Sequence, residues 1–173
     1  MNLEVIFIEA IILAMYFTIT IFDLTRKHKY SPSMIANYPK EIQEEYFKTH
    51  KRVDVSHESP LVFFITFWAL LVLTALLFAC AYIAGAKTFY DGFMVSFGLM
   101  LWIGIFDTIF IDWILFANMD FFRLEGTRHM DKEYHQKWFH LKGMLFPGIL
   151  YALISSSAVG GLIMLVRQVL SFK

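Results

Sequence analysis

The sequence predicts an all-α integral membrane protein, a bundle of four transmembrane helices that forms a single domain over residues 1–173. Hydrophobic residues make up 58% of the chain and charged residues only 17%, whereas a soluble domain carries about 25% charged residues. Four apolar stretches of about 20 residues, the length that crosses a bilayer, leave too little polar surface for a soluble globule. The composition therefore excludes an ordinary cytosolic enzyme and a disordered protein.

The four predicted spans are separated by two long loops and one short connection. In chain order the spans cover residues 5–22, 61–84, 93–119 and 144–166, and the long loops cover residues 23–60 and 120–143. The second and fourth spans contain no charged residue, whereas Glu9 interrupts the first span, and Asp107 and Asp112 interrupt the third. The single cysteine, Cys80, excludes an internal disulfide and a cysteine-based zinc site.

The distribution of basic residues predicts that both termini lie outside the cell. The first long loop holds seven Lys and Arg residues and the second long loop holds five, which together are twelve of the 15 in the chain. Because such residues concentrate in cytoplasmic loops, we expect an N-out, C-out protein of a bacterial inner (plasma) membrane, with membrane lipids as partners. The 15 Asp and Glu residues cancel this charge, so nothing indicates nucleic-acid binding.

Small residues mark one face of the fourth span. Gly148, Ala152, Ser156 and Gly160 follow one another at a spacing of four, which places them on one helix face where another helix can approach closely. The partner of this face is either another span or a second copy of the chain, in a homodimer. In the third span a similar row ends at Asp112, which predicts that Asp112 turns inward and that Asp107 is rotated away from it.

Both long loops are expected to contain short amphipathic helices at the membrane interface. In the first loop Pro32 and Pro39 are suited to first helical turns, and the apolar residues that follow share one side. In the second long loop an apolar residue recurs every four positions. We expect these apolar residues to lie against lipid headgroups; they are Ile42, Tyr46, Phe47, Met130, Tyr134 and Trp138.

Acidic and histidine residues supply the catalytic candidates. Asp107 and Asp112 lie within a span, where a charge costs about 2.5–3.5 kcal/mol on insertion scales and usually serves a purpose. Glu125, His129 and Glu133 are four residues apart and would share a face if that loop were helical throughout. His140 adds a side chain that can transfer protons at neutral pH. These six residues are the predicted catalytic set; the sequence assigns neither a metal site nor a cofactor.

Three basic residues are predicted to bind the substrate. The second and fourth spans begin at the cytoplasmic side, one after His57 and the other after His140, and helix N-termini attract anions. Arg123, Arg128 and Lys142 lie near these starts in sequence. A lipid phosphate or a phosphorylated metabolite would suit such a site, although a basic collar that contacts headgroups has the same composition.

The sequence supports three kinds of function. The first is a polar site at the cytoplasmic membrane interface that binds or processes an amphipathic or anionic, lipid-like substrate. The second is a proton- or cation-coupled small transporter that acts as a homo-oligomer, suggested by the acids Glu9, Asp107 and Asp112 at successive depths. The third is a non-catalytic subunit or assembly factor of a membrane complex, suggested by the lack of an established catalytic motif. The sequence does not decide whether the protein is an enzyme.

Overall fold

The computed structural model describes residues 1–53 and 60–171, and within these residues the chain forms helices and turns without any strand. His57, which the sequence places before the second span, lies outside the described residues. The helices are α1 (Leu3–His28), α2 (Pro32–Ile35), α3 (Lys40–Thr49), α4 (Pro60–Ile83), α5 (Phe89–Phe106) with a π-helical segment (Asp107–Phe116), α6 (Asp131–Tyr134), α7 (Lys137–Gly143) with a π-helical turn (Met144–Gly148), and α8 (Ile149–Ser171).

Within the described residues, three helical stretches are long and apolar enough to cross a membrane. They are Leu3–His28, Phe89–Phe116 and the stretch Asp131–Ser171, which ends in α8. Helix α4, Pro60–Ile83, occupies the place of the predicted second span, and its stretch Phe67–Ile83 is apolar. The described part of the chain is therefore all-helical with three candidate membrane helices, and the fourth span stays a prediction.

Local chemistry explains where the long helices begin. The side chain of Asn2 accepts hydrogen bonds from the backbone N–H groups of Glu4 (3.0 Å) and Val5 (3.3 Å), which satisfies donors that a helix start leaves unpaired. At the start of α5, Thr88 and Asp91 cap one another reciprocally in a capping box. This capping box places the start of α5 at Phe89, four residues before the start of the predicted third span.

The small-residue face of α8 packs against α5 within the same chain. A methyl group added to Gly160 would lie 2.7 Å from the carbonyl oxygen of Phe89, and one added to Gly92 would lie 3.1 Å from the Cα atom of Gly160. Ala152 and Ser156 are also buried on this face. The sequence left open which partner this face meets. It is α5, so the predicted homodimer would require a different face.

One apolar cluster fills the part of the bundle distant from the long loops. It joins α1, α4, α5 and α8, because each helix turns its apolar residues inward at this level. Its fully buried members include Leu77, Ala81, Val159 and Ile163. Helices α5 and α1 are also joined by a hydrogen bond, which Trp102 Nε1 of α5 donates to the carbonyl oxygen of Ala10 of α1 at 2.9 Å.

A second apolar cluster joins the two long loops to each other. The expectation that their apolar residues contact headgroups is wrong for Ile42, Tyr46 and Tyr134, which are buried among protein side chains. The predicted starts of α2 and α3 are close to those observed, but the second long loop is not one helix, because α6 and α7 are separated at His135–Gln136. As a result Tyr134 points into the cluster, whereas Trp138 remains 60% exposed.

Candidate functional site: a cavity with an aspartate–histidine pair

A cavity of about 1120 Å³ lies between the two apolar clusters. Leucines of the first cluster line one end of it, and aromatic residues of the second cluster line the other. The cavity reaches the molecular surface beside α7 and the π-helical turn, since the exposed residues Lys142 and Phe146 form part of its wall. The walls are mostly apolar, so the few polar side chains that reach them decide which molecules could bind.

The π-helical segment brings Asp107 and Asp112 to the same cavity wall. In a π-helix each hydrogen bond connects residues five positions apart, and here the backbone N–H of Ala117 donates to the carbonyl oxygen of Asp112. Residues five apart are therefore closer to one face than they would be in an α-helix, and both aspartates line the cavity. The prediction that Asp107 is rotated away from Asp112 assumed an α-helix and is wrong for this reason.

His140 pairs with Asp112 across the cavity wall. Its Nδ1 atom lies 3.1 Å from Oδ2 of Asp112, and the His140 side chain is only 8% exposed. Helix α7 brings His140 to this position because it packs along the π-helical segment, where Trp113 donates a hydrogen bond from Nε1 to the carbonyl oxygen of Lys137 (3.3 Å). The rings of Phe116 and Phe139, whose centroids are 5.0 and 5.1 Å away, hold the imidazole edge-on.

The other ring nitrogen of His140 has unused hydrogen-bonding capacity. Its Nε2 atom is buried and has no hydrogen-bond partner among the described residues. A carboxylate beside one imidazole nitrogen favours a proton on that nitrogen, which leaves the second nitrogen as the acceptor. The pair can therefore accept a proton from a molecule in the cavity and return it, as a general base and acid.

Arg123, a predicted substrate-binding residue, instead holds the second long loop together. Its guanidinium pairs with Asp131, donates to the carbonyl oxygens of Arg128 (2.7 Å) and Ala117 (3.2 Å), and lies over the ring of Tyr134. With these contacts its side chain is only 10% exposed. These contacts hold the Arg123 side chain within the loop, and it does not line the cavity.

Four further sequence candidates lie on the loop surface and not in the cavity. Glu125 and His129 are in turns around Gly126, so they do not share a helix face with Glu133. Oε2 of Glu125 is 3.7 Å from Nε2 of His50. Arg128 is exposed as well. Among the described residues, no three His, Cys, Asp or Glu side chains converge as metal ligands would.

Sequence reasoning missed Tyr38, which lines the cavity where α2 meets α3. Its hydroxyl group donates a hydrogen bond to the carbonyl oxygen of Phe122 at 2.5 Å, and burial raises the pKa of its phenol. In the sequence, Pro39 predicts only the start of a helix. The sequence shows only a tyrosine directly before a proline. The place of Tyr38 in the cavity wall depends on its hydrogen bond to Phe122, 84 positions away in the chain.

Comparison with known proteins adds no relative: no family model, no curated protein and no solved structure matches this chain.

Proposed function

We propose that the chain is a four-span membrane protein whose cavity binds a lipid-like amphipathic substrate and transfers a proton to or from it. The observation that carries this proposal is the His140–Asp112 pair, with its 3.1 Å contact and buried Nε2 atom, on the wall of the cavity. His140 would be the proton acceptor, and Asp112 would orient its ring. Asp107, on the same wall, would contact the polar part of the substrate.

The proposed topology keeps both termini outside a bacterial inner membrane and both long loops in the cytoplasm. Two observations support it: twelve of the 15 Lys and Arg residues lie in these loops, and the loops pack on one another through a shared apolar cluster. In this arrangement the cavity lies at the cytoplasmic end of the bundle. An amphipathic molecule could then enter from the membrane beside α7, where Leu145 and Phe146 are exposed.

The proposal is tested by reconstituting the full chain in nanodiscs with a polar lipid extract and following the lipids over time by mass spectrometry. We expect a time-dependent product with the wild-type chain and none with His140→Gln, which keeps a polar side chain of similar length. His129→Ala is the matched control, because His129 is exposed and outside the cavity. Equal product from His140→Gln and the wild-type chain would contradict the assignment of His140.

A second candidate is a proton-coupled transporter, favoured by the two aspartates that share one cavity. Glu9, the third acid of the predicted series, is not among the described residues that line the cavity. The transporter proposal predicts that Asp107→Asn abolishes proton flux in proteoliposomes while the variant remains folded. Unchanged flux in this variant would remove the transporter from consideration.

A further inference from the structure

The polar side of the cavity is more acidic than the sequence led us to expect. Asp107 and Asp112 both line it, whereas Lys142 is the one Lys or Arg among its described lining residues and is exposed at the opening. Arg123 is paired with Asp131, and Arg128 does not line the cavity. An anionic head group would therefore meet two carboxylates, and a cation would be attracted by them.

Aromatic rings line the same cavity as these two carboxylates. The cavity wall includes seven phenylalanine and tyrosine side chains, whose ring faces attract a cation within about 6 Å; they are Phe17, Tyr38, Phe116, Phe122, Phe139, Phe146 and Tyr151. His140 adds a buried side chain whose Nε2 atom has no partner among the described residues. An ammonium group could donate a hydrogen bond to this nitrogen, whereas a carboxylate or a phosphate could not.

The cavity as a whole has about the length of a lipid chain. Leu13 and Thr25 of α1 both line it and are twelve residues apart, which corresponds to about 18 Å along a regular helix. One leaflet contributes about 15 Å to a hydrocarbon core of about 30 Å. The far end is closed by Leu77 and Leu99, which are buried in the first apolar cluster.

We propose that the cavity binds a cationic amphiphile, with an ammonium head beside Asp107 and Asp112 and a hydrocarbon chain that extends to Leu77 and Leu99. This inference rests on the proposed function and narrows its substrate class from lipid-like molecules in general to long-chain amines. The carboxylates and aromatic rings select the head, and the apolar channel accepts the chain. A long-chain anion is disfavoured at the same site by repulsion from the aspartates.

The first experiment compares two probes of equal chain length whose heads are an ammonium and a carboxylate. Hexadecylamine and palmitate, each with a diazirine at the terminal carbon, are added to the full chain in nanodiscs, irradiated, and mapped by peptide mass spectrometry. We expect the amine to label the segments around Leu13, Leu77 and Leu99 about tenfold or more above palmitate, because one close charge interaction is worth at least that ratio. Asp107→Asn should lower the preference, because one of the two carboxylates is lost, and Asp120→Asn, a change at an exposed acid, should keep it.

The second experiment blocks the channel between the head and the far end. Gly104 lines the cavity, and a methyl group added to it would meet only the Met144 side chain, at 3.5 Å. Gly104→Leu should therefore fold, and it should reduce labelling around Leu99 about tenfold or more by filling space that the chain needs. Gly98→Leu is the matched control on the same helix, because a methyl group added there has no neighbour within 4 Å.

The outcomes separate this inference from the proposed function. Equal labelling by the two probes, or deep labelling that survives Gly104→Leu, would overturn the cationic amphiphile even if His140→Gln still abolished turnover of a lipid. Amine-selective deep labelling that depends on Asp107 and persists in His140→Gln would support the inference even if no proton-transfer reaction were found. The labelling experiment measures binding alone. A variant that loses turnover but still binds the amine would therefore still show amine-selective labelling.

Discussion

Replacing Gly160 by alanine should destabilise the protein, although alanine is the better helix former. A methyl group at this position would lie 2.7 Å from the carbonyl oxygen of Phe89 and 3.0 Å from two atoms of its ring. The carbonyl belongs to the first turn of α5, so it cannot move aside without shifting that helix. Overpacking of this kind costs about 1–3 kcal/mol.

The variant Gly161→Ala is the control that separates this steric cost from the effect of helix propensity. A methyl group at Gly161 has no neighbour within 4 Å, and both glycines lie in α8, so each alanine gains about the same helix propensity, roughly 1 kcal/mol. The difference between the two variants therefore reports the contact with Phe89. We expect Gly160→Ala to be about 1–3 kcal/mol less stable than Gly161→Ala, which corresponds to about 2–12 °C in Tm for a chain of this size.

The assay is thermal unfolding of both variants in the same detergent at several protein concentrations. Because Phe89 and Gly160 belong to one chain, the difference in Tm should not depend on concentration. Equal stability of the two variants would refute the close approach of α5 and α8. A difference that appears only at high concentration would instead indicate that Gly160 packs between two copies.

Three further predictions concern the long loops. Tyr134→Phe should cost about 1–3 kcal/mol in the free energy of unfolding, because its hydroxyl group accepts the buried backbone N–H of Leu124 at 2.9 Å; chemical unfolding measures this, and an unchanged midpoint would contradict it. Burial raises the pKa of Tyr38, so the neutral phenol stabilises the fold below the usual tyrosine pKa of about 10, and this contribution is lost as the pH rises through the higher pKa of the folded state. Tyr38→Phe should make the alkaline decline in stability smaller, and an unchanged decline would contradict the sign. Cysteines introduced at Glu45 and Lys132 should be labelled from the same side of the membrane, because the loops that carry them share one apolar cluster, and labelling from opposite sides would refute the topology.

Part of the candidate site was predictable from residue type alone. The cost of a charge within a membrane span points to Asp107 and Asp112, the neutral-pH chemistry of histidine points to His140, and the start of the fourth span points to Lys142. All four line the cavity. Their relation to one another was not predictable. The contact between Asp112 and His140 spans 28 positions along the chain (140 − 112) and depends on how α7 packs against the π-helical segment.

The loop candidates show where reasoning from spacing fails. Glu125, His129 and Glu133 share a face only in a continuous helix, but Gly126 adopts a φ of +80°, a turn conformation that glycine allows most readily. Arg123 carries the right charge for a substrate anion, yet Asp131 and three backbone and ring contacts already surround it. The spacing of residues in the sequence indicates which side chains are neighbours on one helix. It does not indicate which side chains of another element pack against them.

Composition and hydropathy were sufficient to predict an all-helical fold with helices apolar enough to cross a membrane. Such helices satisfy their backbone hydrogen bonds within one segment of the chain, so the segment alone reveals them. The same patterns could not show that the two long loops bury their apolar residues against each other, or that α8 meets α5 through Gly160 and Phe89. Nor could they place two aspartates on one wall, since that depends on a π-helical register among the residues from Asp107 to Phe116. These features arise from contacts between residues far apart in the chain and from a local change of helix type, and only the folded molecule decides them.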